Sequence, residues 1–382
     1  MTENQPGAAP GIPSPRDHAD TGAGAGAEIG VGVGEATDLA ALTTLRVGGR
    51  AERLIRATST DQVIDEVSEC DARGEPVLVL GGGSNLLVAD EGFPGSVVLV
   101  GTRGLTVEAE DRCGGGATVR VAAGEPWDGV VGAAVEHGWI GIEALSGIPG
   151  STGATPVQNV GAYGQEVAET IASVRTWDRQ EGRVRTLAAA DCEFSYRHSR
   201  FKEERFRGGP RFVVLEVTFQ LRLADLSGPI RYAELARALG AEVGGRAPSA
   251  RVRDVVLALR RSKGMVLDPD DHDTWSAGSF FTNPLLDAGQ AAHLPEGAPR
   301  WPVDGNRIKT SAAWLIEHAG FGRGYGLPGP AALSTRHTLA LTNRGSAKTK
   351  DILELARTVR DGVRAAFGIE LQPEPVLVGV VL

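Results

Sequence analysis

Cysteine is nearly missing from this 382-residue chain, which holds only Cys70, Cys113 and Cys192. An odd count with no CxxC pair excludes a disulfide framework and a zinc site of the usual spacing, and it suits a reducing cytoplasm. Long apolar runs are also lacking: none approaches the roughly 20 residues of a membrane helix, so no membrane insertion is expected. The opening MTENQPGAAPGIPSP has neither the basic nor the apolar region of a secretory signal. Positive charge is in deficit, with a formal net charge of -9. That argues against a sequence-independent grip on nucleic acid or on an anionic membrane surface. No Walker loop, G-x-S-x-G, H-E-x-x-H or metal-spaced histidine pair occurs, so hydrolase and metalloenzyme chemistry find no support and no metal is expected.

Glycine is what the chain has in excess: 52 residues, against a usual share of about 7%. Residues 1–37 hold 19 Gly, Ala or Pro, no aromatic residue and a net charge of -4, the composition of a disordered tail. GAGAGAEIGVGVG at 22–34 imitates a nucleotide fingerprint but never spells G-x-G-x-x-G. Beyond the tail, spacing predicts helices over Thr60–Arg73 (Thr60 as cap, Gly74 as stop), Trp127–His137, Tyr232–Leu239, Ser249–Arg261 and Thr349–Phe367. Strands are expected at Pro76–Leu80, Val97–Val100, Val174–Trp177, Phe212–Leu221 and Val376–Leu382, with a hairpin over 105–123 turning at Gly114–Gly116. Residues 139–165 carry little periodicity and form a long shaped loop, a length that usually signals function. The pattern is α+β, divided as 38–104, 105–228, 229–368 and a C-terminal strand over 369–382.

Two glycine segments can carry chemistry. Gly81, Gly82, Gly83, Ser84 and Asn85 follow a strand, and their backbone N–H groups can form a nest for pyrophosphate oxygens; a plain strand-to-helix turn explains them equally well. In the second, Ser146, Gly147, Gly150, Ser151, Gly153 and Ala154 lead to Gln158 and Asn159, whose amides suit the edge of a heterocycle; a surface connection is the bland alternative. Ser279, between Gly278 and Phe280-Phe281, is a hydroxyl in a walled position or simply a turn cap. Arg197 is ambiguous within Phe194–Lys202, where Arg200 and Lys202 read as a solvated basic face. Glu374, fixed between two prolines, is a directed acid or an ordinary turn residue.

LTTLRVGG (42–49), GGGSNLLVAD (81–90), SGIPGSTGATPVQNVGAYGQE (146–166), FSYRHSRFK (194–202), SAGSFFTNP (276–284), KTSAAWLIEHAGF (309–321) and LQPEPVLVG (371–379) occur in this order. Together they resemble the UDP-N-acetylenolpyruvoylglucosamine reductase family over residues 38–382, in its longer subtype with a substrate-clamping tyrosine. The resemblance implies two FAD-binding α+β subdomains of the vanillyl-alcohol oxidase type and a third, substrate-covering domain. It implies non-covalent FAD, NADPH as hydride donor, and UDP-N-acetylglucosamine enolpyruvate as substrate, reduced by a cytoplasmic monomer to UDP-N-acetylmuramate for peptidoglycan. Hydride would pass from flavin N5 to C3, with Arg197 and Glu374 neutralising the charge that develops and Ser279 protonating C2. Tyr232, Lys263 and Asn283 match positions that contact the UDP-sugar. The alternatives are another FAD-dependent oxidase or dehydrogenase of the same fold, and a nucleotide-sugar-binding protein without turnover.

Overall fold

The computed structural model describes residues 37–111, 113–303 and 305–382. The expectations for the N-terminal tail and for the glycine run at 22–34 therefore lie outside the described residues. Among the described residues, no helix is long and apolar enough to cross a membrane.

Ala51–Ala57, Val77–Leu80 and Phe93–Val100 form a three-stranded parallel sheet with Phe93–Val100 in the centre. A central parallel strand is covered on both faces, which is why its Ser96, Val97 and Val98 are all fully buried. The Thr60–Arg73 helix crosses from the first strand to the second. Its cap is Ser59, whose hydroxyl accepts the Gln62 N–H; Thr60, expected as the cap, is already the first helical residue. Val63, Val67 and Cys70 turn to the sheet, and Gly74 stops the helix in the left-handed conformation.

A larger antiparallel sheet follows, in the order Arg183–Ala188, Ile171–Asp178, Phe212–Leu223, Gly116–Ala122 and Leu105–Asp111. Alternation along Ile171–Asp178 buries Ile171, Val174, Thr176 and Asp178. The Trp127–Glu136 helix covers this sheet, with the Trp127 ring 5.8 Å from that of Phe219. One hydrophobic core runs continuously from Ile55, Val67 and Val98 into Val119, Val174 and Val217.

The C-terminal half packs around a second core of Phe280, Phe281, Leu315, Ile316, Ile352 and Val359, which also takes in Leu45, Val47 and Leu87 from the N-terminal part. A third, smaller core joins the Ala233–Leu239 and Ser249–Ser262 helices through Leu235, Leu239, Val252 and Val256. The final strand is shorter than its apolar run predicts. Val376–Val378 pairs in parallel with Leu86–Val88 and then stops. Its partner ends at Val88, Gly379 takes φ +71, and Val381 lies exposed.

Beyond Val88 the chain serves another purpose. The Asp90 carboxylate accepts the N–H groups of Thr349 and Lys350 at 2.7 and 3.0 Å, at the start of the Thr349–Phe367 helix. It thereby satisfies two of that helix's otherwise unpaired donors from a distant part of the chain. Asp90→Ala is expected to lower stability by about 1–2 kcal/mol. A reduced urea midpoint at constant slope would show it; an unchanged midpoint would mean water replaces the carboxylate without loss.

Candidate active site

A cavity of about 570 Å³ opens between the two glycine segments. Gly81–Asn85 leave the end of the Val77–Leu80 strand, and Gly150–Ala154 face them. The backbones approach so closely that a Cβ on Gly82 would lie 2.6 Å from Gly150 Cα, and one on Gly83 (φ +61) would strike the Leu42 carbonyl. The Ser84 hydroxyl donates to Pro149 O at 3.0 Å and ties the loops together. Gly81, Gly82, Gly83, Ser84, Asn85, Gly150, Ser151, Gly153, Ala154 and Gln158 line the cavity.

Ser146, Gly147 and Asn159 do not. The Ser146 hydroxyl donates to Glu143 O, and the Gly147 N–H donates to Asp128 Oδ1 at 2.6 Å. Asn159, at φ +46, donates to Glu166 Oε2 and Ser195 O and accepts from the Ala168 N–H. Its amide is fully used in shaping the loop. Such internal bonds allow 139–165 to run through the interior instead of along the surface.

Four distant motifs meet at the cavity wall. Glu374 Oε1 lies 2.9 Å from Arg197 Nε, and Gln158 Nε2 approaches the same oxygen at 3.5 Å. Asn85 Nδ2 donates to Gln158 Oε1 at 2.6 Å and to Glu374 O at 3.3 Å. The Arg197 guanidinium also donates to Gly161 O at 2.8 Å. Its Nε–H is misaligned with the carboxylate and has no hydrogen-bond acceptor, so the pair is a charge contact with one donor to spare. Burial pushes the Glu374 carboxyl above its ordinary range, while Arg197 and Lys202 pull it back. Ser279 lies on the same wall. Phe280 and Phe281, fully buried and 5.1 Å apart edge to face, hold its segment from behind. Glu374 N–H donates to Phe280 O, which sets the acid beside the serine loop.

Tyr232 and Lys263 form a separate cluster with Tyr163. The two tyrosine rings meet at 90° and 5.7 Å, the Lys263 ammonium sits 5.6 Å above Tyr163, and it donates to Glu234 at 2.6 Å. Asn283, expected at the sugar nucleotide, lies off the cavity wall: its Oδ1 accepts the Ala312 N–H at the start of the Ala312–His318 helix.

Four cations that the sequence reading passed over line the cavity: Lys202, Arg205, Arg207 and Arg260. Lys202, assigned to a solvated face, is half-buried and donates to Arg197 O at 3.2 Å. Arg260 has an Nε with neither solvent nor acceptor, and burial pulls its pKa down to about 10. A signal for Arg260 existed: it follows the buried Val252 and Val256 at the next i+4 step, on the inward stripe.

His337 sits near this cluster, where burial and the charges of Lys263 and Arg323 push its pKa down to about 4. An unfolded chain takes up that proton near 6.5, so between pH 6.5 and 4 the unfolded state binds more protons and stability falls with falling pH. A His337→Gln variant is expected to lose part of this acid sensitivity in denaturation measured across that window. Identical slopes in the two proteins would show that His337 titrates normally.

Residues 51–188 match an FAD-binding domain family, and residues 268–378 match the C-terminal domain of UDP-N-acetylenolpyruvoylglucosamine reductase. The reductase of Cutibacterium acnes is 58% identical over 348 residues, covering 91% of this chain and 90% of that protein. The one from Streptomyces coelicolor is 54% identical, with 90% of each covered. The crystal structure of the Thermus caldophilus reductase superposes with a TM-score of 0.60 at 26% identity, covering 91% of this chain and 98% of the other. The chain belongs to the UDP-N-acetylenolpyruvoylglucosamine reductase family.

Proposed function

We propose that this chain reduces UDP-N-acetylglucosamine enolpyruvate to UDP-N-acetylmuramate with NADPH, through bound FAD, in peptidoglycan synthesis. The observation that carries the reading is the meeting of Arg197, Glu374 and Ser279 on the wall of a cavity whose other side is two apposed glycine loops. The residues fit FAD: nothing but backbone separates Gly82 from Gly150, and Arg260 and Arg197 each keep a buried N–H unused. When bound there without a covalent link, FAD supplies hydride transfer from NADPH to C3 of the enolpyruvyl group. Gly81–Asn85, with Gly150 and Ser151, would offer N–H groups to the dinucleotide phosphates, while the N–H groups of Thr152, Gly153 and Ala154 are spent on the carbonyls of Glu125, Ala123 and Ser151. Gln158 would supply an amide to the ring system.

The chain's own residues then manage charge and proton. Arg197 and the protonated carboxyl of Glu374 hold the substrate carboxylate, onto which negative charge spreads as C2 becomes electron-rich. Ser279 Oγ delivers its proton to C2. Tyr232 and Lys263 bind the diphosphate, with Lys263 exchanging Glu234 for phosphate oxygen. Asn283 supports this wall by orienting the Ala312–His318 helix. The division into FAD-binding parts 38–104 and 105–228, a substrate part 229–368 and the acid-bearing segment 369–382 follows the same reading. A cytoplasmic monomer suffices, since one chain supplies every group named.

An anaerobic visible spectrum tests the whole proposal. The protein should be yellow, bleach with NADPH and recolour on adding the enol ether. Bleaching without recolouring would remove the substrate; absence of flavin would remove the assignment. Ser279→Ala should leave bleaching intact and slow recolouring by roughly 10²–10⁴-fold; equal losses in both steps would reject the proton-donor role. Arg197→Lys should also slow recolouring severely, because a single ammonium cannot reproduce the planar fork. Near-normal turnover of that variant would reduce Arg197 to packing.

A further inference from the structure

Arg197 occupies the corner of a tight turn closed by Ser195 and His198, each donating its N–H to the other's carbonyl at 3.1 Å. That corner requires φ +54, a left-handed conformation that disfavours an arginine. The turn consumes the carbonyls of Ser195 and His198 and leaves that of Arg197 to the Lys202 ammonium, which donates to it at 3.2 Å. Lys202 itself is held fast. It lies in the Arg200–Glu203 helical turn, whose preceding Ser199 is fully buried and donates to Val157 O at 2.6 Å. The next ring, Phe201, is wedged against Phe212 at 6.0 Å. These contacts fix the helical turn from which the Lys202 side chain reaches the Arg197 carbonyl.

We propose that Lys202 is a positioning residue of the acid–base centre, holding the Arg197 backbone in its left-handed turn and presenting a second positive charge to Glu374. This deepens the proposed reaction and rests on it for its catalytic consequence only. The titratable groups facing Glu374 are Arg197 and Tyr196 from the turn and Lys202 from the helix behind it; Gln158 and Asn85, from the glycine loops, are neutral. The Lys202 ammonium is lowered by burial and supported by Glu374, which is the mutual effect of two opposite charges sharing a dry pocket. With Arg197 alone the acid would keep its proton to higher pH. With both cations its ionisation is drawn back toward the ordinary carboxylate range.

Three substitutions separate the two effects. Lys202→Arg keeps charge and donor, Lys202→Gln keeps a donor alone, and Lys202→Met keeps neither. The direct readout is the carboxyl stretching band of protonated Glu374 in the flavin-loaded protein, followed by infrared difference spectroscopy against pH and assigned by its loss in Glu374→Gln. Its midpoint should move up by on the order of one pH unit in the Gln and Met variants and stay near wild type in Lys202→Arg. Equal midpoints in all four proteins would overturn the proposal. In parallel, Lys202→Met should slow recolouring by the enol ether by about 10²-fold, as a misaligned Arg197 would, with bleaching by NADPH preserved and Lys202→Gln in between. A matched loss in both steps would make Lys202 a wall residue only. Should wild-type protein fail to recolour, the substrate reading falls, while the infrared titration still decides the role of Lys202.

Discussion

The buried contact between Glu374 and Arg197 sets terms that much of the architecture meets. Removing both charges from water is expensive, and a buried pair seldom returns that expense as stability. Here the pair is also imperfect, since the Arg197 Nε–H, though 2.9 Å from the carboxylate, is not aligned to hydrogen-bond with it. What keeps it is the surrounding frame: carbonyls of Gly161 and Arg197 occupied by cations, the Gln158 amide on the acid, the Asn85 amide on the Glu374 backbone carbonyl, and a backbone bond from Glu374 to Phe280. A charge pair maintained at net expense, with a donor left over, is better suited to receiving a ligand than to stabilising a fold.

Bringing Glu374 there requires the last residues of the chain to reach its first glycine turn. The parallel pairing of Val376–Val378 with Leu86–Val88 does this in three residues, and Val376 N–H donating to Asn85 O fixes the register. Asp90, two residues beyond, binds the start of the Thr349–Phe367 helix. One short segment, Gly81–Asp90, thus forms the glycine turn, pairs with the strand after the acid and anchors the long C-terminal helix. The dense string of small and polar residues in that segment reflects three separate demands on one stretch of backbone.

Much of this was legible in the sequence where the physics is local. The Thr349–Phe367 and Thr60–Arg73 helices were readable because an apolar stripe and a stop glycine lie within one short stretch. Ordered motifs pointed to Arg197, Ser279 and Glu374, and all three line one cavity. Less legible were residues whose state depends on partners far away in the chain. Nothing near Lys202 reveals that Val157 pins its helical turn, and nothing near Asn159 reveals that Glu166 and Ser195 exhaust its amide. The Val376–Leu382 run looked like one strand because apolar sequence cannot report that its partner ends at Val88.

Arg260 in the Ser249–Ser262 helix and Lys263 at its cap meet opposite circumstances, and the difference bears on what each can hold. Lys263 already has an anion, Glu234, at 2.6 Å. A phosphate that replaces this carboxylate exchanges one charged partner for another, and when the ligand departs Glu234 takes the cation back. Such a site suits a molecule that arrives and leaves in every cycle. Arg260 has no anion in contact; its nearest charge partners act only through space, and burial already weakens its hold on the proton. Emptying that position would re-expose an uncompensated buried charge each time. It is therefore suited to a group that stays, and at the part of the cavity that Arg260 lines a resident cofactor would meet an unspent buried donor and an uncompensated positive charge.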